Sequence, residues 1–328
     1  MSAKRLDFDP DGDLLLHLTY SPDDSNDDDE EQLVGSLAEI ALKPASYGRK
    51  QDKVSAPNEV RMLVSSKHLM LASPVFKAMF NPEHFREGKL LGNSDEVPEV
   101  EFPDDEPETL ELLMNIIHGR ARRVPSEISF GTFTNLTILV DKYQMVEPAI
   151  PYIHLWLARH KTCHTRTKNF TPQTLLPWLC IAWTFNVSEI FKPTTAFLVK
   201  ESESRLEAEG IPIPDCVLDA IESQRVHGIS TLIEAIAQYR LWPLPQAPYL
   251  GFSIWSIANT FRALKTVAHK HYEPSHPLHG VDLHPHRYMK TFLNDTADAV
   301  WRNATGLDIK SIRGGPQKSR KRNTASRR

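Results

Sequence analysis

The stretch VRMLVSSKHLMLASPVFKAMF, residues 60–80, changes its periodicity part-way along. Val60, Met62 and Val64 alternate with Arg61 and Leu63, the period of two that a half-buried strand requires because successive side chains face opposite ways. Past Ser65 the alternation stops. Ser73 followed by Pro74 is a helix start, since a serine oxygen caps free backbone N–H groups and a proline at the first helical position forfeits no hydrogen bond. The stretch predicts a strand ending near Val64, then two short helices, about 66–72 and 74–80, that meet at Ser73.

Downstream, EVPEVEFPDD at 96–105 places Val100 and Phe102 on one face and Glu99 and Glu101 on the other, which predicts a strand at about 97–102. Pro98 lacks an N–H for a sheet ladder and puts that strand at an edge. Asp104, Asp105 and Glu106 precede Pro107 and suit the positive end of a helix whose Leu110, Leu113, Met114 and Ile117 recur at i, i+3, i+4 and i+7. Leu136, Leu139, Val140 and Tyr143 repeat that spacing, and Ile150, Ile153 and Leu157 open a further helix after Pro148. Upstream, Leu14, Leu16, Leu18 and Tyr20 alternate with Leu15, His17 and Thr19, which predicts a first strand at about 13–20. Strands and helices in this order indicate an α+β domain and not a doubly wound sheet.

Between the first two strands lies SPDDSNDDDEEQ at 21–32, with seven acids and no base from Asp23 to Glu31. A segment so charged and so poor in apolar residues does not repay its ordering entropy. Residues 21–57 are therefore expected to be a disordered acidic insertion, and 1–10 a tail preceding a domain at 11–160. Ser21 and Ser25, each followed by acids, have the pattern of acid-directed kinase substrates.

No strand pattern is evident beyond residue 165. Leu175, Trp178, Leu179 and Ala182 form one helical stripe, and Val187, Ile190, Phe191 and Thr194 a second. Leu218 and Ile221, with Ile229, Leu232, Ile233 and Ile236, form a third that is expected to break at Gly228. LWPLPQAPYLG at 241–251 is a proline-rich connector, followed by expected helices near 252–268 and 286–303. Residues 165–308 thus make an all-α region, and 309–328 a disordered basic tail, with eight bases and no acid from Lys310 to Arg328.

A chain of 328 residues with 41% hydrophobic content can bury about two cores. It has no run of about 18 uncharged apolar residues, so no membrane span is expected. MSAKRLDFDPDGD carries charges where a secretory signal has its apolar core, which points to an intracellular protein of the nucleus or cytoplasm. Three cysteines, Cys163, Cys180 and Cys216, are too scattered for a disulfide framework and are expected to be small buried apolar side chains.

The 60–80 stretch resembles the strand and helix pair of BTB/POZ domains, with Leu69, Ser73, Pro74, Val75, Phe76, Met79 and Phe80 matching the pattern. VEFPDDEPETLELLMNIIHG at 100–119 is similar to the family's strand and proline-started helix, and LTILVDKYQM at 136–145 to a later helix. The acidic first loop and the fragments PIPDCVLDAIESQR and ATGLDIKSI look most like BTB proteins of filamentous fungi. The resemblance implies a small sheet capped by a helical cluster, working as a homodimer, a heterodimer or an adaptor.

Some members dimerise through the first helices and the N-terminal strand. That implies a partner surface drawn from Leu14, Leu16, Leu69 and Met70, the alternative being that some of them are core. Others bring substrates to cullin-type ubiquitin ligases with an apolar-x-Glu element, which Phe85-Arg86-Glu87 matches; the alternative is that Phe85 is a loop residue packed on the core. One departure is that many members carry a histidine and a basic residue where this chain has Ser65 and Ser66.

The tail offers Lys318, Arg320, Lys321 and Arg322 as a nuclear-import candidate for a transcription-associated regulator. Neither a zinc finger nor a basic zipper is visible, so sequence-specific nucleic-acid binding is not expected. Histidines 269, 271, 276, 279, 284 and 286 crowd one window, but zinc needs four rigidly held ligands and no paired cysteine accompanies them, so a solvated loop is expected. With 14 glycines, no phosphate loop, no nucleophile elbow and no zinc-protease motif, the chain is expected not to be an enzyme and to need no cofactor. Cys163-His164 is the one tempting pair, but adjacent residues rarely point at each other and no third orienting group is identifiable.

Overall fold

The computed structural model describes residues 4–20, 58–93, 97–166, 170–208, 210–237, 251–260 and 284–314. The acidic insertion, most of the proline-rich connector and the basic segment from 315 onward lie outside the described residues. The chain forms two compact units, one comprising Met1–Phe170 with Glu209–Pro212 and the other Thr171–Ala208 with Ile213–Arg328.

The first unit is α+β. Its strands are β1 (Lys4–Asp7), β2 (Leu14–Tyr20), β3 (Asn58–Val64) and β4 (Glu99–Glu101), in the sheet order β1-β3-β2-β4. β2 and β3 pair antiparallel, with Leu14 opposite Val64 and Tyr20 opposite Asn58. β1 joins β3 in parallel and β4 joins β2 in parallel, so the sheet is mixed. The alternation fixes which face is covered: Leu14, Leu16, Leu18, Met62 and Val64 are fully buried. β4 is at an edge, as Pro98 requires, although its ladder is shorter than the expected 97–102.

Residues 4–7 correct the expected tail. Lys4–Asp7 has a single apolar residue, Leu6, and no alternation to reveal it; it becomes a strand because β3 offers it a backbone edge. The connection back to β2 is tight. A Cβ on Gly12 would lie 2.8 Å from both Leu63 Cγ and Val64 O, so glycine permits the loop to close over the end of β3.

Among the described residues six α-helices complete this unit: α1 (Ser66–Ala72), α2 (Pro74–Met79), α3 (Arg86–Asn93), α4 (Pro107–Ile117), α5 (Phe130–Tyr143) and α6 (Val146–Arg166). The Ser73 hydroxyl caps α2 by accepting from Phe76 N–H at 3.0 Å. In α4 the predicted stripe is buried except for half-buried Ile117. α3 carries no helical spacing of apolar residues that would predict it; its glycine explains its position, because a Cβ on Gly88 would sit 2.4 Å from the Asn81 carbonyl carbon.

Among the described residues the regular elements of the second unit are helices: α7 (Pro172–Thr184), α8 (Ser188–Glu201), α9 (Asp215–Ala237), α10 (from residue 254), α11 (His284–Asn303) and α12 (Ile309–Gly314). α7 exceeds the predicted stripe, since Leu175 through Ala182 are all buried, as befits a helix enclosed on every side.

α9 does not break at Gly228. A Cβ there would meet Ile254 Cδ1 at 2.6 Å and Val300 Cγ1 at 3.3 Å, so the glycine lets α10 and α11 approach a continuous helix. Arg225, fully buried on α9, donates from Nε and Nη2 to Glu222 at 2.8 Å each and from Nη1 to Phe252 O at 3.0 Å. Those partners are what make a buried guanidinium tolerable.

The expected disordered tail begins too early. Ile309 is 1% exposed, Leu307 N–H donates to Thr195 Oγ1 at 2.8 Å, and the Arg313 guanidinium lies 4.6 Å from the Trp183 ring centre. The apolar pair Leu307 and Ile309 supplies enough burial to order a segment that charge counting alone assigns to solvent.

Candidate docking surface

Three separated stretches meet around Tyr143. The Phe76 ring of α2 stacks on Tyr143 at 4.6 Å and 10°, and Phe102, following β4, approaches the Phe76 ring at 6.0 Å. Each such pair contributes about 0.5–1.5 kcal/mol beyond burial. Ser73 Oγ donates to Tyr143 O at 2.6 Å, taking up a carbonyl at the end of α5. The Tyr143 hydroxyl donates to Asp105 Oδ2, and Lys142 Nζ bonds Asp105 Oδ1 at 2.6 Å. Burial, then the Asp105 charge, push the Tyr143 phenol above its ordinary range, so it stays a donor. This polar and aromatic knot fixes α2, β4 and α5 together, and the first helix pair is displayed from it.

The sequence candidates separate on this frame. Leu14, Leu16 and Leu69 are 0% exposed and belong to the core, not to a free surface: Leu14 and Leu16 face inward from β2, and Leu69 turns in from α1. Met70 is half-buried. Its neighbour Leu71, which sequence reasoning passed over, is 88% exposed. The signal was available, because at 100° per residue a helix that buries Leu69 turns Leu71 about 200° away.

Phe85 is 48% exposed just before α3, and half-buried Glu87 lies in that helix's first turn. The alternative of a Phe85 packed in the core is not met. Lys318, Arg320, Lys321 and Arg322 lie outside the described residues.

Ser65 and Ser66 serve the start of α1. Asp13 accepts from Ser66 N at 2.6 Å and from its Oγ at 2.7 Å, so a carboxylate from the β1–β2 loop caps the helix. Ser65 N–H donates to His118 Nε2 at 3.1 Å. The opposite sheet face carries a polar cluster beside buried Leu63: Arg61 Nε pairs with Glu99 at 3.0 Å, and His17 lies 3.5 Å from Glu99 and 3.8 Å from Glu59.

In the second unit Phe252 and Trp255 are 39% and 46% exposed at the start of α10. Cys180 is buried, whereas Cys216 is exposed, which corrects the expectation for it: it occupies the first turn of α9 on the solvent side. Cys163 and His164 fall within α6, and His284 and His286 within α11; histidines 269, 271, 276 and 279 lie outside the described residues. Among the described residues no helix is long and apolar enough to cross a membrane.

What the fold defines is a class: an α+β unit with a small mixed sheet and a helical cluster, accompanied by a helical unit. No family model, no curated protein and no solved structure matches the chain.

Proposed function

We propose that the first unit is a BTB/POZ-like docking module, and that the chain acts by binding other polypeptides through the solvent face of α1 instead of by catalysis. The observation that carries this reading is Leu71. A leucine 88% exposed on a helix anchored by buried Leu69 and capped by Asp13 leaves unburied an apolar side chain worth about 1.5–3 kcal/mol on burial. The helix pre-orders the backbone beneath Leu71, so little backbone entropy is lost on association. The meeting of the three motif stretches at Tyr143 supports the family reading, since each contributes a residue that the others need.

A second reading, substrate adaptor of a cullin-type ligase, is favoured by one feature: exposed Phe85 ahead of Glu87 at the start of α3, a helix pinned by Gly88. An aromatic anchor beside a carboxylate suits an interface hot spot. The two readings separate by mutation. Leu71→Asp should abolish self-association or partner binding while circular dichroism is unchanged, whereas Phe85→Ala with Glu87→Ala should remove only a copurifying cullin scaffold. Loss of neither would reject both.

A further inference from the structure

We propose that His118 is a proton-operated latch that holds the N-terminal strand β1 and the start of α1 closed when neutral and releases them when protonated. This goes beyond the docking reading and does not depend on it. Both ring nitrogens are committed to backbone groups of fixed polarity. Nδ1 lies 2.9 Å from Met114 O, an acceptor only, so Nδ1 carries the hydrogen. Nε2 lies 3.1 Å from Ser65 N, a donor only, so Nε2 is bare. A proton added at Nε2 has nowhere to point except at another N–H. It removes the acceptor for Ser65, the residue that joins β3 to α1.

The ring is also the floor on which the N-terminal segment rests. Phe8, 7% exposed, packs on His118 at 5.8 Å between ring centres and donates its N–H to Leu63 O at 2.8 Å. Arg120 also holds this segment, with its guanidinium 5.4 Å from the Phe8 ring and Nη1 donating to Asp7 O at 2.8 Å.

The charged and titratable groups facing His118 are His68 from α1, with ring centres 5.1 Å apart, Arg120 after α4, and Asp9 from the β1–β2 loop. Two of the three repel an imidazolium. Burial, opposed in part by the Met114 bond, depresses the His118 pKa in the closed form, so the open form takes up the proton first. β1 is the element that yields, because it is a four-residue edge strand with one neighbour and one apolar side chain.

The test uses the full chain. Hydrogen exchange, corrected for intrinsic rates, is compared at pH 7.5 and pH 5.0, both for the unchanged protein and for His118→Gln. Protection of amides in Lys4–Asp7 and at Ser65 should fall severalfold, up to a ceiling of about thirtyfold at pH 5.0 for an open-form pKa near the ordinary histidine value of about 6.5, and that fall should vanish in H118Q. A His68→Gln variant should retain it. Where H118Q does not fold, histidine-selective NMR of the unchanged protein decides: the Nδ1–H tautomer should be seen at neutral pH, with the Ser65 amide and Phe8 ring moving with the His118 titration. Equal protection at the two pH values, a pH effect that survives in H118Q, or a His118 titration that leaves Ser65 and Phe8 unmoved would overturn the latch.

Discussion

Replacing Asp105 by alanine tests the knot that orients the first helix pair. The Asp105 side chain is 1% exposed and accepts from the Tyr143 hydroxyl and from Lys142, which is itself 44% exposed. Removing the carboxylate orphans a buried hydroxyl, at about 1–3 kcal/mol. Lys142 can turn to water, so its share is small, about 0–1 kcal/mol. The expected loss is about 2–3 kcal/mol, or a fall of about 5–10 °C in the midpoint of a unit this size.

The diagnostic result is the double variant. Tyr143→Phe removes the orphan, and an apolar pair is nearly neutral where a half-satisfied one is not, so D105A/Y143F should recover about 1–2 kcal/mol relative to D105A. Urea denaturation read by hydrogen exchange on peptides covering Phe130–Tyr143 isolates the first unit from the helical one. A double variant that loses the sum of the two single losses, or a D105A cost under about 0.5 kcal/mol, would refute the knot.

Three further outcomes are expected. Gly228→Ala gains about 1 kcal/mol of helix propensity but drives a Cβ to 2.6 Å from Ile254 Cδ1; overpacking of about 1–3 kcal/mol should prevail, seen as a lower midpoint for the second unit. Ile309→Ala should cost about 2–5 kcal/mol, because Ile309 is 1% exposed at the start of α12; unchanged thermal unfolding would show that the segment is not part of the core. Stability should also fall on acidification. The His118 and His160 pKa values are both lowered, chiefly by burial, so below the ordinary histidine pKa of about 6.5 the unfolded chain binds more protons than the folded one. Their contribution is complete above that pH and is lost as pH falls through the lowered values; a flat urea midpoint from pH 7.5 to 5.0 would exclude it.

Much of the architecture could be read from periodicity. β2, β3, the helix pair about Ser73 and the stripes of α4 and α5 fell where alternation or i, i+3, i+4 spacing placed them, because each buries one face and leaves the other wet. What could not be read lacked that contrast. β1 is ordered by a neighbour's edge and by Phe8, α3 by the close approach at Gly88, and Gly228 signals contact where a single-helix reading expects a break. The candidate surface was half legible for the same reason. Periodicity groups the apolar residues of β2 and α1 by face but does not say whether the chain's own core or a partner covers that face; tertiary packing put Leu14, Leu16 and Leu69 in the core and left Leu71 in solvent.

The central claim, docking through α1, is tested most directly by quantitative affinity purification and mass spectrometry of the full chain beside Leu71→Asp, with a differently tagged second copy present to register self-association. The account predicts one stoichiometric polypeptide, a second copy or a distinct partner, that binds the unchanged protein and is lost from the variant while hydrogen exchange of the first unit stays the same. Identical association profiles for the two would contradict it.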